Sequence, residues 1–435
     1  MTNQPIAVFW FRRDLRLDDN VGFYHALNGA LPVHPIFIFD SEILDKLPKN
    51  DARVTFIHDT LQNMRQYLNS EFNKNIAIYH GHPAEVFETL LETYNIQSVY
   101  TNRDYEPYAD ERDSEIESLC KTHNCEFKTF KDQVIFEQNE VVKKDGNPYV
   151  VYTPYMRSWK AKFQDDDAAF YDSKSLLENI FDQDDIPNLS LSDIGFERAQ
   201  QTIAAYKVTP ELIQDYEATR NFPAMDATSK LGPHLRFGTV SIRQMVKKAM
   251  AEENEIFWQE LIWREFFMQI LWHFPYTKDR SFKAKYDRID WRNDEDDFKK
   301  WCEGNTGYPL VDAGMRELNE TGFMHNRVRM LVGSFLCKHL LIDWRWGEAY
   351  FAEKLHDYEM ASNVGNWQWV AGSGVDAAPY FRIFNPTSQI QKFDKNHEYI
   401  KKWVPEYQEL TYPQPMVDHK MARERCLATY KAAVS

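Results

Sequence analysis

The chain has 435 residues, of which 43% are hydrophobic and 27% charged, and its formal net charge is −15 at pH 7. A chain of this length is too long to fold around one ordinary hydrophobic core, which predicts two domains. The composition is typical of a folded, soluble protein and excludes a disordered chain. The acidity argues against a nucleic-acid partner unless basic residues are concentrated locally.

The first predicted element is an apolar run at Ile6–Phe11, which charged residues follow directly. The run is too short for the core of a signal peptide or for a membrane span. The five cysteines form no CxxC motif, and their odd number suits a reducing compartment. The sequence therefore predicts a cytoplasmic protein with no membrane partner and no metal site.

The first 130 residues alternate strand-like apolar runs with helical patterns, which predicts a parallel sheet with crossover helices. The strand-like runs are Ile6–Phe11, Val33–Phe39, Ile76–Tyr79, Ser98–Tyr100 and the weaker Phe127–Phe130. The helical patterns lie near Arg53–Ser70, Ala84–Tyr94 and Tyr108–His123. No GxGxxG motif follows the first strand, so this Rossmann-like domain lacks the usual dinucleotide fingerprint.

Residues 131–200 are rich in Asp, Asn and Ser and show little periodicity, which predicts an interdomain connector. From about residue 201 the apolar periodicity is helical, and no convincing alternating strand follows. The predicted fold is therefore α/β plus all-α. It comprises a Rossmann-like domain at 1–130, a long connector at 131–200 and a helical domain at 201–435.

Three segments of the helical domain place chemically useful side chains on shared helix faces. The first two sets are Glu260, Trp263 and Arg264, and Asn326, Arg329 and Met330. In the third segment, helical geometry would turn Trp367 and Trp369 about 200° apart, toward different surroundings. Taken singly, each residue fits ordinary packing or a structural ion pair, so the joint pattern carries the argument.

Several stretches resemble the photolyase/cryptochrome family, and the resemblance covers essentially the whole chain. They are WFRRDLRLDDN from Trp10, ATSKLGPHLRFGTVS from Ala227, ELIWREF from Glu260, DYEMASNVGNWQWVAGSG from Asp357 and DAAPYFRIFNP from Asp376. The chain is most similar to class I cyclobutane pyrimidine dimer photolyases. The resemblance implies an α/β antenna domain followed by a helical domain that binds FAD and DNA.

The resemblance assigns a set of residues to FAD. Tyr216 and the turn at 228–232 correspond to the phosphate site, where small hydroxyls and free N–H groups at a helix start suit a pyrophosphate. The residues of the turn are Thr228, Ser229, Lys230, Leu231 and Gly232. The other cofactor residues are Phe257, Glu260, Arg264, Asn326, Arg329, Asp357, Glu359 and Asn363.

The resemblance also implies a lesion pocket with catalytic residues Glu260, Trp263, Asn326, Met330 and Trp369. Aromatic walls and polar partners suit a flipped-out base, and Glu260 is expected to hydrogen-bond to a thymine carbonyl when it carries or shares a proton. Asn326 and Met330 stand where the (6-4) photolyases use pocket histidines, which disfavours that chemistry. Asn363 falls beside flavin N5, and its amide cannot deliver an acidic proton there, which favours repair over photosensing.

Trp291, Trp344 and Trp367 resemble the tryptophan chain that carries electrons from the surface to the flavin, whereas Trp301 is expected to serve packing. Indole is among the side chains most easily oxidised, so the chain would reduce FAD in light. The resemblance therefore assigns electron transfer to Trp291, Trp344 and Trp367 together.

Arg220, Arg327 and Arg382 match positions that contact DNA phosphates, which would position the duplex without reading its sequence. The distribution of charge along the chain permits DNA binding despite the negative net charge. Ten acidic and three basic residues lie between Ala161 and Gln200, whereas fourteen basic and twelve acidic residues lie from Thr321 to the end. Binding of phosphates depends on the local basic surface rather than on the total charge.

The sequence departs from the family pattern in places. The usual Asn-Asn-Gly-Gly run is here the 363–366 segment, NVGN, whose last Asn still permits a positive φ and therefore a turn. Glu359 replaces an Asp and lengthens a cofactor contact by one methylene. Tyr108 and Ala109 replace a folate-contacting Asn-Glu pair, so a second, antenna chromophore is left open as methenyltetrahydrofolate, a deazaflavin or none.

The predicted function is a monomeric deoxyribodipyrimidine photo-lyase that uses blue light and reduced FAD to split cyclobutane pyrimidine dimers in DNA. One alternative is a cryptochrome-type photoreceptor, whose usual long C-terminal tail is not seen in the about fifty residues after Pro386. The other alternative is a photolyase that prefers single-stranded DNA.

Overall fold

The computed structural model describes residues 2–183 and 186–435. The chain forms two compact units. The first spans Met1–Glu137, Phe163–Ala205 and Leu231–Lys248, and the second spans Gln138–Lys162, Tyr206–Lys230 and Ala249–Ser435. No helix within the described ranges is both long and apolar enough to cross a membrane.

Up to residue 130 five strands alternate with helices, and beyond it the described elements are helices. The strands are β1 (Thr2–Phe11), β2 (Val33–Asp40), β3 (Ala77–Gly81), β4 (Tyr94–Asn102) and β5 (Glu126–Phe130). The helices are α1 (Val21–Leu27), α2 (Ser41–Leu44), α3 (Ala52–Phe72), α4 (Pro83–Thr93), α5 (Pro107–Thr122), α6 (Tyr152–Lys162), α7 (Pro210–Thr219), α8 (Gly232–Arg236), α9 (Ile242–Met250), α10 (Ile256–His273), α11 (Glu295–Glu303), α12 (Pro309–Thr321), α13 (Asn326–Ser334), α14 (Trp344–Lys354), α15 (Met360–Ala371), α16 (Pro386–Phe393), α17 (Glu398–Trp403) and α18 (His419–Val434).

The five strands form one parallel sheet in the order β3-β2-β1-β4-β5, which confirms the predicted Rossmann-like sheet. The central strand β1 is buried on both sides, because Phe9 and Phe11 join the core on one face while Val8 and Trp10 join the core on the other. A parallel strand covered by helices on both faces is apolar throughout, which explains why its sequence shows no polar alternation.

The charged residues after β1 form a buried network in the first unit. Arg16 Nη2 lies 2.6 Å from Asp132 Oδ2, and Arg243 Nη2 lies 3.0 Å from Asp132 Oδ1. Arg243 Nε also donates to Asp19 Oδ1 at 3.1 Å. Burial alone would raise the pKa of Asp132, but Arg16 and Arg243 outweigh it and hold that pKa below its ordinary value. The arginine-rich motif is therefore a buried structural network.

The backbone at position 238, in the LRFGTVS stretch, requires glycine. Its φ is +67°, and a Cβ there would lie 2.0 Å from the carbonyl oxygen of Arg13 in the same unit. Only glycine allows both the left-handed backbone and this close approach.

The residues of the predicted connector, 131–200, belong to both compact units. Leu177, Ile180 and Leu191 pack in a core of the first unit, and the Phe181 amide donates to the Val33 carbonyl at 2.7 Å. Helix α6 belongs to the second unit, where it packs beside α10. This segment therefore supplies structure to each unit, although it carries little periodicity in sequence.

Among the described residues, the second unit contains helices and turns but no strand of the sheet, as predicted. Its core surrounds the fully buried Trp301 and includes Trp344 and Trp367. Residues 335–340 form a π-helical turn directly after α13. Helix α15 packs against both α10 and α13 here, and these three helices carry most of the residues assigned to the site.

Candidate active site

Helix α10 presents three polar or aromatic contacts on one face, as its spacing predicted. Glu260 forms an ion pair with Arg220, which follows α7. Trp263 stacks on Tyr152 with ring centroids 3.5 Å apart and an interplanar angle of 9°. Arg264 Nη2 lies 3.3 Å from Glu359 Oε1 at the start of α15. Helix α10 is thus tied to α7, α6 and α15 through the residues assigned to chemistry.

Tyr216 and Phe257 contact each other beside this face. Their rings meet edge to face at 5.2 Å, and the Arg220 guanidinium lies 5.7 Å from the centre of the Tyr216 ring. Burial, and then the charge of Glu260, raise the pKa of Tyr216 to about 12, so its hydroxyl stays protonated at neutral pH. Two residues predicted to contact FAD therefore adjoin the Arg220–Glu260 pair.

Helix α13 begins at Asn326, whose side chain is exposed, and His325 caps it by accepting from the Arg327 amide at 3.1 Å. Arg329 forms a two-pronged ion pair with Asp357, at 3.1 and 2.9 Å. The guanidinium thereby joins α13 to the segment before α15. Parallel N–H···O bonds of this kind fix orientation as well as distance.

Arg220 and Asn221 connect α10 with α13. While Arg220 pairs with Glu260 on α10, its neighbour Asn221 accepts a hydrogen bond through Oδ1 from Arg327 on α13. Burial, and then the charges of Arg220 and Arg382, lower the pKa of Arg327. The charges of the other two arginines predicted to contact DNA therefore both act on Arg327.

Asn363 lies on α15 with a fixed amide orientation. Its Nδ2 donates to the Glu348 carbonyl at 3.1 Å and to Glu348 Oε1 at 2.9 Å. Because both partners are acceptors, the NH₂ group must face α14 and the amide oxygen must face away from it. Burial raises the pKa of Glu348.

The prediction of a turn at 363–366 is wrong. This segment lies inside the continuous helix α15, and neither Gly365 nor Asn366 has a positive φ. The Asn366 side chain bonds to the Ser362 carbonyl one turn earlier, at 2.8 Å. The helix instead ends at Gly372, whose φ is +88°. Helical continuity therefore overrides the turn that the family pattern suggested.

Continuity of α15 does separate the two tryptophans as predicted. Trp367 is buried, whereas Trp369 is only partly buried at the edge of the core. Met330 is also partly buried, and its sulfur lies 3.7 Å from Arg327 Nη1. Trp369 and Met330 therefore have free surface to offer a ligand, while Trp367 faces the protein interior.

The tryptophans assigned to electron transfer share one core. Trp344 and Trp367 are buried, and Trp291 packs against the same cluster. Trp301, assigned to packing, is fully buried, donates to the Val332 carbonyl at 3.2 Å and meets the Trp367 ring at 6.2 Å.

The segment at 228–230 has features of an anion site. Thr228 Oγ1 is buried and has no hydrogen-bond partner in the structure. Lys230 has a φ of +53°, and its ammonium lies 3.6 Å from the centre of the Phe323 ring. An unpartnered hydroxyl close to a cation in the chain suits a phosphate oxygen, so these residues fit FAD. Leu231 and Gly232, which start α8, belong to the first unit.

In the first unit, Tyr108 and Ala109 lie at the start of α5. The Tyr108 hydroxyl donates to Asp40 Oδ2 at 2.7 Å, and Ala109 is buried. Burial, and then Asp40, raise the pKa of Tyr108, so its phenol stays neutral. Among the described residues, no group of three or more His, Cys, Asp or Glu side chains is placed to hold a metal ion.

Sequence reasoning missed several residues of the site, namely Tyr152, Asn221, Glu348 and Phe393. The Arg327 guanidinium lies 4.4 Å from the Phe393 ring centre, which adds an aromatic contact to the arginine group. Tyr152 had a detectable signal, because Tyr152, Tyr155 and Trp159 follow helical spacing within the connector. The other residues gain their roles from long-range contacts alone.

Comparison with known proteins agrees with this geometry. Residues 7–172 match the family model of DNA photolyase, and residues 257–411 match the model of the FAD binding domain of DNA photolyase. The deoxyribodipyrimidine photo-lyase of Vibrio cholerae is 37% identical over 471 residues, which cover 98% of this chain and 100% of that protein.

Two solved structures are also similar. The class III photolyase from Agrobacterium tumefaciens aligns with a TM-score of 0.88 and 33% identity over 100% of this chain and 98% of that one. The archaeal photolyase from Sulfolobus tokodaii, solved with two FAD molecules, aligns with a TM-score of 0.86 and 32% identity over 98% of this chain and 99% of that one. The chain therefore belongs to the photolyase/cryptochrome family and contains the FAD-binding domain of a DNA photolyase.

Proposed function

We propose that this DNA photolyase repairs cyclobutane pyrimidine dimers at the site formed by α10, α13 and α15. The observation that carries the proposal is the bridge of Arg220 and Asn221, which couples Glu260 on α10 to Arg327 on α13, next to Asn326. The proposed catalytic carboxyl of Glu260 is thereby linked to the proposed phosphate-binding cation of Arg327, which is the neighbour of the base-pairing Asn326. The relatives' names favour repair over the photoreceptor alternative.

The pocket residues act on a dimer that has left the base stack. Trp263 and Trp369 offer indole surfaces that replace lost stacking, and Met330 adds a polarisable contact. The Asn326 amide bonds to a Watson–Crick edge. Glu260 would hydrogen-bond to the thymine carbonyl, where negative charge develops as the ring opens, when its carboxyl carries or shares a proton there.

FAD, when bound, supplies light absorption and the electron that opens the cyclobutane ring. Tyr216, Thr228, Ser229 and Lys230 bind its phosphates, with Leu231 and Gly232 continuing the motif. Arg264, Arg329, Asp357 and Glu359 would hold the ring and ribose. Asn363, whose NH₂ group donates to Glu348, would be left with its amide oxygen for the flavin. Trp291, Trp344 and Trp367 carry electrons inward.

Arg220, Arg327 and Arg382 contact DNA phosphates around the lesion. Arg220 and Arg382 disfavour the charge on Arg327, and phosphates that neutralise the three would offset this effect and make DNA binding salt-dependent. For a second, antenna chromophore the sequence left methenyltetrahydrofolate, a deazaflavin or none. The similar Sulfolobus tokodaii photolyase contains two FAD molecules, so a flavin joins methenyltetrahydrofolate and a deazaflavin as candidates.

The decisive experiment is repair of an oligonucleotide with one defined thymine dimer by the reduced, FAD-loaded protein. We expect loss of the dimer in blue light and none in the dark. Single-stranded and duplex substrates compared in the same assay test the single-strand alternative. A protein that binds FAD and is photoreduced but leaves the dimer intact would contradict the proposal and favour a photoreceptor.

A further inference from the structure

We infer that Tyr152 is a positioning residue for Trp263, and that its stack on the indole sets how strongly the site prefers a pyrimidine dimer to undamaged DNA. The inference rests on the lesion site proposed above. It concerns a residue from the segment between the two predicted domains, to which the sequence had assigned no role in chemistry.

The contact between the two rings is unusually close. Their centroids lie 3.5 Å apart with 9° between the planes, whereas aromatic pairs in proteins mostly have centroids about 4.5–7 Å apart. Tyr152 is 6% exposed, while Trp263 keeps part of its surface open. Tyr152 therefore covers one face of the indole, and a pyrimidine must use the surface that remains.

Tyr152 is itself held at two points. Its hydroxyl donates to the Gln259 carbonyl at 2.7 Å, and its backbone amide donates to Asp376 Oδ2 at 3.1 Å. Gln259 directly precedes Glu260 in α10, so the phenol is anchored next to the proposed catalytic carboxyl. Anchored at its hydroxyl and at its backbone, the ring has little freedom to move away from Trp263.

The phenol acts as a neutral ring. Burial, and then the charge of Glu260, raise the pKa of Tyr152 far above the working pH range. The Tyr152 hydroxyl donates to the carbonyl of Gln259, the residue before Glu260, so the phenol lies near that acid. Tyr152 thus adjoins both the aromatic wall and the acid of the proposed lesion site.

A fixed indole binds a base more tightly than a mobile one. Stacking a pyrimidine on Trp263 requires one ring orientation, and a side chain that is already held there loses less conformational entropy on binding. An aromatic pair contributes enough to change an affinity by about two- to tenfold. The effect should appear in the affinity for dimer-containing DNA and not in the affinity for undamaged DNA, which is bound through its phosphates.

Tyr155 provides a matched control one turn further along α6. Its hydroxyl donates to the buried Glu265 at 3.1 Å, and its ring packs against Phe266. Substitution of Tyr155 therefore perturbs the same helix and the same neighbour, α10, without removing the stack on Trp263. A loss that is merely structural should occur in both Tyr152 and Tyr155 variants.

The experiment measures equilibrium binding of dimer-containing and undamaged oligonucleotides in the dark, with repair per bound dimer measured at saturation. We expect Tyr152→Leu to weaken dimer binding about five- to tenfold, with binding of undamaged DNA and repair per bound dimer within about twofold of wild type. Tyr152→Phe, which keeps the ring, should bind the dimer within about twofold. Tyr155→Leu should leave the preference for the dimer unchanged.

A double-mutant cycle separates positioning from folding. In a Trp263→Leu background, Tyr152→Leu should cause no further loss of dimer preference, because the indole that it positions is gone. An equal loss in both backgrounds would overturn the inference, and so would an unchanged preference in Tyr152→Leu. If that variant loses FAD or its fold, Tyr152→Met, whose unbranched side chain adapts to irregular gaps, takes its place. Wild-type protein without dimer preference would instead contradict the lesion site.

Discussion

Nη1 of Arg220 donates to Oε1 of Glu260, so the proposed phosphate contact and the proposed catalytic carboxyl are partners in the free protein. Both side chains remain partly open to solvent, with 28% and 36% exposed. A DNA phosphate near Arg220 would compete with Glu260 for the guanidinium. Binding of DNA and release of the carboxyl are therefore coupled through this pair.

Substitution of Glu260 tests its part in ring opening. Glu260→Ala should lower repair per bound dimer about tenfold, because a hydrogen bond to a developing charge is lost. Dimer affinity should fall only modestly, and affinity for undamaged DNA should rise because Arg220 is released from its partner. Repair yield and binding are measured on the same dimer oligonucleotide, with Glu260→Gln as the variant that retains a donor. Equal yields in wild type and Glu260→Ala would remove Glu260 from the mechanism.

The arginines proposed to contact DNA phosphates should determine how DNA affinity depends on salt concentration. Arg327→Gln and Arg382→Gln should each reduce the slope of log affinity against log salt by about 0.9, the contribution of one phosphate contact on duplex DNA. The loss should be similar for damaged and undamaged duplexes, since phosphate contacts carry no sequence information. Arg280→Gln is the control, because this side chain is 75% exposed and paired only loosely, at 4.0 Å, with Asp279. A slope that stays constant in both arginine variants would exclude them from the DNA surface.

The sequence predicted those parts of the fold that follow local periodicity. The five strands and the helices α3, α4 and α5 were foreseen because apolar spacing records which faces are buried. The turn at 363–366 was wrong because a family pattern was read locally, while the packing of α15 against α10 and α14 keeps the helix continuous. Helical spacing could have placed Tyr152 on a helix, but the contacts of Tyr152 and Asn221 could not be assigned, because their partners lie 111 and 106 positions away in the chain.

Thr228 makes a prediction about FAD affinity. Thr228→Val keeps the shape of the side chain and removes a buried hydroxyl that has no partner in the structure. The stability of the FAD-free protein should therefore be unchanged or slightly higher, because no hydrogen bond is lost. FAD affinity should fall about tenfold, the effect expected from one hydrogen bond to a charged phosphate. Titration with FAD measures this, and an unchanged affinity would place the phosphates elsewhere.

Gly347 makes a prediction about photoreduction. A Cβ at this position on α14 would lie 2.1 Å from the Trp367 ring, so Gly347→Ala must displace that indole or part α14 from α15. Light-driven reduction of bound FAD should slow severalfold, while enzyme reduced chemically should repair dimers at the wild-type rate. Gly333→Ala is the control, because its nearest contact, 3.2 Å to Val370, needs only a small adjustment. Photoreduction at the wild-type rate in a folded Gly347→Ala would argue against Trp367 as an electron carrier.

Three buried histidines predict acid sensitivity well above the usual carboxylate range. Burial is the main cause that lowers the pKa of His34 and His325 to about 4 and of His339 to about 3. Each is neutral in the folded chain, whereas the unfolded chain takes up a proton near the ordinary value of 6.5. Stability is therefore lost as the pH falls below about 6.5, by about 1.4 kcal/mol per pH unit for each histidine.

His34 offers the test of this account. It is fully buried between Tyr94 and Phe181, and neither ring nitrogen has a hydrogen-bond partner in the structure. Because it lies in the first unit, His34→Leu should reduce the pH dependence of that unit's unfolding between pH 6.5 and about pH 4 by about 1.4 kcal/mol per pH unit. Near pH 8 any difference in stability between the variant and wild type reflects packing and not charge, since His34 is neutral in both the folded and the unfolded chain. Urea unfolding at pH 8, 6 and 5 measures the difference, and parallel curves for variant and wild type would show that His34 is protonated in the folded protein.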